Sequence, residues 1–230
     1  MASRLILLET STSLCSTALA EDGRIVAERR SQEPRAHASL TTPFVQEMLQ
    51  ECGWKASDCD AVCVSMGPGS YTGLRVGVST AKGLCFGAAL PLLAVSTLDV
   101  LARQAISKGL LPQGCKTILP MVDARRMEVY TAPYSPAGER LGEISAVVLD
   151  ENSFAGEFAA GPVMVIGDAA DKFATLRASA PHSFVQCCPE ASAMLEPATR
   201  KLQKKEFEDV AYFEPFYLKQ FIATVPKKLF

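Results

Sequence analysis

Histidine is almost missing from this 230-residue chain, which carries only His37 and His182. A zinc site built on a His-x-x-x-His or His-Glu-x-x-His pair is therefore excluded. Tryptophan occurs once and aromatics make up 7%, too little for a base-stacking surface. Positive charge is not in excess either. Lys and Arg total 23 against 25 Asp and Glu, a net charge of -2. Nucleic acid would then be met through a local patch or a partner protein. A Gly-x-Ser-x-Gly elbow and a Gly-Lys-Ser/Thr phosphate loop are both lacking. So is a long apolar run: Leu84 to Val95 is broken by Pro91 and falls short of the roughly 18 residues of a membrane span. Met1 to Leu8 is ended by Glu9 before it reaches the length of a signal-peptide core. The expected setting is cytoplasmic, with no membrane contact. The eight cysteines then read as reduced packing residues; Cys59 and Cys63 lack zinc-knuckle spacing, and Cys187 and Cys188 are adjacent.

What is present is 48% hydrophobic residues with regular punctuation. Strands are expected over 4–8, 15–20 and 24–30, with Asp22-Gly23 as a hairpin turn. Leu40, Phe44, Met48 and Leu49 have helical spacing, closed by Gly53. A strand over 61–65, a helix over 73–86, a strand over 92–96 and a helix over 97–108 follow, the last capped by Ser96 with Asp99 in its first turn. The pattern then restarts. Strands are expected over 117–122, 127–134, 144–149 and 163–166, a short helix over 151–158, a further strand over 184–187 and a polar helix over 191–206. This order predicts an α/β fold of two lobes, each a three-strand meander plus helices with a mixed sheet. That is the layout of the actin and sugar-kinase superfamily. The boundary falls where Gly109, Pro112 and Gly114 cluster, giving residues 1–110 and 111–230.

Three segments carry chemically suggestive residues. Gly67-Pro-Gly-Ser-Tyr-Thr-Gly73 joins a strand to a helix, where backbone N–H groups can face a phosphate. Its Gly-x-Gly-x-x-x-Gly spacing is one residue too long for the dinucleotide fingerprint. In the helix that follows, Gly73, Gly77 and Ala81 share one face, suited to a close helix neighbour inside or outside the chain. Glu9-Thr-Ser-Thr-Ser13 is either a phosphate-holding hairpin turn or a self-satisfied one. Asp123-Ala-Arg125-Arg-Met-Glu128 could serve catalysis; the favoured reading is a structural lock between lobes.

Taken together, these segments resemble a known family. Glu9-Thr-Ser-Thr-Ser13, Arg35-x-His37, Gly67-Pro-Gly-Ser-Tyr-Thr-Gly-Leu-Arg75, Asp123-Ala-Arg-Arg-x-Glu128 and Pro215-x-Tyr217-Leu218 are similar to the bacterial accessory proteins of tRNA threonylcarbamoyladenosine synthesis, the TsaB (YeaZ) type of glycoprotease-like protein. The resemblance implies a non-catalytic subunit that activates a catalytic threonylcarbamoyltransferase. An ATPase subunit would join the pair, the chain would form a homodimer when alone, and tRNA would be met indirectly. The catalytic relative holds a metal through a His-x-x-x-His pair. Thr97 and Leu101 stand at the matching positions here, so no metal is expected. The partner interface implied is the first-lobe helices, through Leu40, Phe44, Gly73, Leu74, Gly77 and Ala81. Glu9, Thr10, Ser11, Ser13, Gly67, Gly69 and Ser70 would be vestigial nucleotide or phosphate contacts. A weak ATP or ADP site with magnesium, at the interface with partners, stays open. Two other classes remain: an active small-molecule kinase using Glu9 and Asp123, with Val165-Ile-Gly-Asp168 as its nearest adenosine loop, and a peptidase or chaperone.

Overall fold

The protein is described from a computed structural model, which covers residues 3–219 except 178 and 180. Two five-stranded sheets form its frame. The first takes β1 (Arg4–Glu9), β2 (Cys15–Glu21), β3 (Arg24–Ser31), β4 (Ala61–Gly67) and β5 (Leu92–Ser96), in the order β3-β2-β1-β4-β5. β1, β4 and β5 run parallel, and β2 and β3 extend the sheet antiparallel. The Asp22-Gly23 turn has φ of 49° and 74°, the positive pair that a tight hairpin demands. The second sheet takes β6 (Thr117–Asp123), β7 (Glu128–Thr131), β8 (Ser145–Val148), β9 (Val163–Gly167) and β10 (Ser183–Gln186), ordered β10-β9-β6-β7-β8.

β1 is buried from Leu5 onward because both sheet faces are covered. Ile6 and Leu8 face one layer, formed by α1 (His37–Glu51) and α2 (Tyr71–Ala88), where Val45, Met48, Val78 and Ala81 complete the core. Leu5 and Leu7 face the other way. There they meet Val100 of α3 (Thr97–Ser107), a short 3-10 turn at Ala191–Met194, and α6 (Leu195–Lys204). The opposite side of α3, through Leu98, Leu101, Ala102 and Ala105, packs on Ile118, Val122, Met164 and Ile166 of the second sheet. α3 is thus shared between the sheets. The far face of the second sheet is closed by α4 (Ala155–Ala160) and α5 (Ala170–Arg177), around Phe158 and Phe173.

α3 is fixed at both ends. Ser96 Oγ accepts the Leu98 N–H at 3.2 Å and caps the helix. Asp99 accepts the Tyr134 hydroxyl at 2.6 Å, tying the helix to the second half of the chain. Further along, Gln104 is 1% exposed and bonded through both ends of its amide. Its Nε2 donates to the Cys188 carbonyl at 3.0 Å, and its Oε1 accepts the Glu190 N–H at 2.9 Å. That pair of bonds turns the chain back toward the first sheet.

Most expected elements are found close to their sequence positions. α5 was not expected from sequence. It has eight residues and buries only Ala170 and Phe173, too few to set up a helical period. The strand expected over 127–134 is shorter, at Glu128–Thr131, and the short helix expected over 151–158 lies at Ala155–Ala160. Residues 191–204, grouped by sequence with the second half, pack on the first sheet. All eight thiols are free. Among the described residues, no helix is long and apolar enough to cross a membrane.

Replacing Gln104 with Ala strips partners from two backbone groups in one step. The expected loss is about 2–4 kcal/mol in urea unfolding, with the m-value unchanged. A loss below about 0.5 kcal/mol would show that water replaces the amide without penalty.

Candidate functional site: the cleft between the sheets

The turn after β1, residues 10–13, lies directly on the start of α2. The contact is closer than any side chain would allow. A Cβ on Gly69 would fall 2.3 Å from the Ser11 carbonyl oxygen, one on Gly73 2.1 Å from that of Thr10, and one on Gly77 2.2 Å from Thr10 Oγ1. The Thr10 hydroxyl donates to the Gly73 carbonyl at 2.8 Å, and the Ser70 N–H donates to the Ser11 carbonyl at 2.7 Å. Ser70 also caps α2, its Oγ accepting the Gly73 N–H at 3.3 Å. Glycine recurs here because backbone meets backbone.

This geometry corrects the expected partner face. Gly73, Leu74, Gly77 and Ala81 point inward and are buried, filled by the chain's own Thr10 and sheet. Leu40 and Phe44 are half-buried on α1. Thr10 is corrected as well: it is fully buried and holds α2, so it is not a phosphate contact. Gly67, with φ of 113°, sits beneath the Phe216 carbonyl and Leu74 instead of facing a ligand.

Ser11, Ser13, Gly69 and Ser70 do line an open cleft of about 880 Å³, together with Thr12, Arg35, His37, Asp123, Arg125 and Asp168. The Ser13 hydroxyl lies 3.4 Å from Cys188 Sγ. The segment Phe216 to Lys219 borders the cleft, with the Tyr217 ring centred 4.9 Å from that of Tyr71 and tilted 35° to it. Asp123 does not form the expected lock between lobes with Arg125. Its carboxylate pairs with Lys172 at 2.5 Å and accepts the Arg125 backbone N–H, both within the second half of the chain. Glu128 pairs with Lys219. The tie between the halves runs instead through Tyr134, Asp99 and Gln104.

Glu9 lies behind the cleft wall, 0% exposed. One oxygen accepts the Ser11 N–H at 2.7 Å, and Oε2 has no partner. Burial pushes its carboxyl up to about 7, although the bonds from Ser11 pull the other way. Burial likewise raises Asp168 to about 6, although the Asp123 N–H bonded to it pulls the other way. A magnesium nucleotide, which kinase-type folds imply, does not fit these residues. Asp123 is held by Lys172, Glu9 is behind the wall, and no group of three His, Cys, Asp or Glu among the described residues is arranged for a metal ion. At the positions matching the metal pair, Thr97 Oγ1 is 2.8 Å from Ser65 Oγ and Leu101 is in the core. Sequence reasoning placed Thr12 in the candidate turn without naming it as a contact, gave His37 no ligand role and named Asp168 only as part of a loop. A carboxylate directly after a strand and a glycine was the available signal for Asp168.

Two mixed sheets around a shared helix, with a cleft bounded by the turn after the first strand, define an actin-like α/β protein. The activator of 2-hydroxyisocaproyl-CoA dehydratase from Clostridium difficile has this fold at 10% identity, with a TM-score of 0.50 over 90% of this chain and 96% of its own. The chain belongs to the family described as "TsaD: tRNA N6-adenosine threonylcarbamoyltransferase", whose profile matches residues 24–227. It is similar to the tRNA threonylcarbamoyladenosine biosynthesis protein TsaB of Escherichia coli, 40% identical over 131 residues, covering 57% of this chain and 54% of that protein. TsaB of Bacillus subtilis is 34% identical over 148 residues, covering 64% and 61%. The matched stretch thus spans little more than half the length of these curated relatives. YeaZ from Pseudomonas aeruginosa superposes with a TM-score of 0.82 at 30% identity, covering 94% of this chain and 100% of that one.

Two outcomes follow from the packing and the buried acid. Gly73→Ala should cost about 2–4 kcal/mol, because its methyl meets the Thr10 backbone. Gly83→Ala, where a Cβ meets nothing within 4 Å, should gain up to about 1 kcal/mol in the same denaturation assay. For Glu9, a raised folded-state value means that the native chain binds the extra proton. Its stabilising effect is full below pH 4.5 and is lost as pH rises through 7. Wild type should fall by about 2.5 kcal/mol against Glu9→Gln between pH 5 and pH 8. A constant difference across that range would remove the buried-acid assignment.

Proposed function

We propose that this chain is a non-catalytic accessory subunit in the formation of threonylcarbamoyladenosine on tRNA. It docks on a threonylcarbamoyltransferase subunit through α1 and α2, an ATPase subunit joins that pair, and the same surface supports a homodimer when the partner is absent. tRNA is met through the complex, in keeping with the net charge of -2. The likeness to TsaB and YeaZ proteins supports the pathway.

The observation that carries the docking surface is the outer side of α2. With the inner glycines used up, the exposed side offers Thr72, Ser79, Gly83 and Gly87, and a Cβ on either glycine would meet nothing within 4 Å. Phe86 beside them is 88% exposed, a large apolar group left in water. Small residues with one aromatic anchor suit a second helix at short interaxial distance. An interface near 1,600 Å² would be sufficient.

Gly83→Arg and Phe86→Glu should abolish co-elution with the catalytic subunit while leaving the circular dichroism melt unchanged. Gly77→Arg, by contrast, should unfold the chain, since that position faces Thr10. Reconstitution with the catalytic and ATPase subunits and tRNA supplies the decisive readout. Modification that runs equally well without this chain would defeat the accessory reading.

A further inference from the structure

We propose that Cys187 and Cys188 form a modification site, at which a hydroperoxide converts two neighbouring thiols into a reversible disulfide and so frees the returning chain from Gln104. This goes beyond the accessory role and does not depend on it.

The two cysteines stand where the chain leaves β10 and turns back toward the first sheet. Both thiols are free and half-buried, whereas Cys15, Cys59, Cys63 and Cys85 are buried. Their surroundings differ. Cys188 Sγ lies 3.4 Å from the hydroxyl of Ser13, an exposed residue that lines the open cleft. That places it within reach of a small solute. Cys187 packs instead against the core shared by α3 and the second sheet, and its Sγ accepts Gln104 Nε2 at 3.5 Å. Burial pushes the Cys187 thiol up to about 11. The two sulfurs therefore take unequal parts: Cys188 meets the oxidant, and Cys187 resolves the product.

In the first step the Cys188 sulfur gives up its proton and attacks one oxygen of hydrogen peroxide. An S–O bond forms, the O–O bond breaks, and the departing hydroxide takes up that proton as water. In the second step the Cys187 sulfur attacks the sulfenic sulfur. The S–S bond forms, the S–O bond breaks, and hydroxide leaves with the Cys187 proton as a second water. Each sulfur loses one electron, and the peroxide accepts both.

The backbone is anchored on either side of the pair. The Cys187 N–H donates to the Gly167 carbonyl at 3.1 Å, and the Cys188 carbonyl accepts Gln104 Nε2 at 3.0 Å. Adjacent Cα atoms across a trans peptide are about 3.8 Å apart, whereas disulfides usually join Cα atoms about 4.4–6.8 Å apart. The ring closes only if the backbone between the two residues distorts, and the Cys188 carbonyl turns away from Gln104 with it. Cys187 Sγ leaves the same amide as it enters the bridge. Gln104 then keeps only the Glu190 N–H at 2.9 Å. Strain of this kind also makes the bridge easy to reduce, the property of labile regulatory disulfides.

The test treats the full-length chain with stepwise additions of hydrogen peroxide, alkylates the remaining thiols and digests with trypsin. The peptide spanning residues 178–200 contains both cysteines and no other. It should emerge unalkylated and two hydrogens lighter, and dithiothreitol should restore two alkylated thiols. Cys187→Ser should stop at a Cys188 sulfenic acid that dimedone traps. Cys188→Ser should leave Cys187 alkylated as in the untreated chain. The oxidised wild type should melt about 2–6 °C lower, and dithiothreitol should reverse the drop. Gln104→Ala, which lacks the amide from the start, should lose less on oxidation. Both cysteines still alkylated after other thiols of the chain have reacted, oxidation of the pair to sulfinic acid without a bridge, or an unchanged melt once the bridge has formed would overturn the proposal.

Discussion

The approach of the turn at residues 10–13 to α2 governs much of this molecule. Backbone atoms there come so near that glycine is demanded at 69, 73 and 77, three positions along one line of the loop and helix. The contact fixes the angle at which α2 leaves β4. It also hides the inner glycines and leaves the second small-residue stripe, at Gly83 and Gly87, on the outside. One constraint thereby separates the face that makes the fold from the face free to meet another helix.

The same contact explains the character of the cleft. Thr10 spends its hydroxyl on Gly73, and Glu9 accepts the Ser11 amide from behind. Ser11 is then held on the wall with its N–H and its carbonyl both engaged. Three carboxyl groups converge nearby, yet each is screened, paired or buried. The result is a cavity with a kinase-like outline and a different donor chemistry.

Sequence reasoning reached the architecture because its signals were local. Asp22-Gly23 marked the hairpin, Ser96 marked the start of α3, and the apolar runs at 61–65 and 163–166 marked buried strands. It misassigned what depends on long-range contact. Gly73, Gly77 and Ala81 announced a close neighbour, but spacing alone cannot say whether that neighbour is Thr10, 63 residues away from Gly73, or another molecule. Asp123 and Arg125 looked like partners because they are two apart, whereas Lys172, brought in by the second sheet, takes the carboxylate. α5 escaped notice because eight residues with two buried positions leave no period to read.

The return of residues 191–204 to the first sheet has a consequence for biosynthesis. Leu5, Leu7, Ala61 and Leu93 emerge early from the ribosome, but Ala191, Met194 and Ala198, which cover them, emerge late. A nascent polypeptide halted before that point carries a finished sheet with one greasy side bare to solvent. Such intermediates are prone to clump and call for chaperone shelter until residues 191–204 have been made. Premature-stop products of this gene are consequently expected to be cleared by proteases, not to persist as half-molecules.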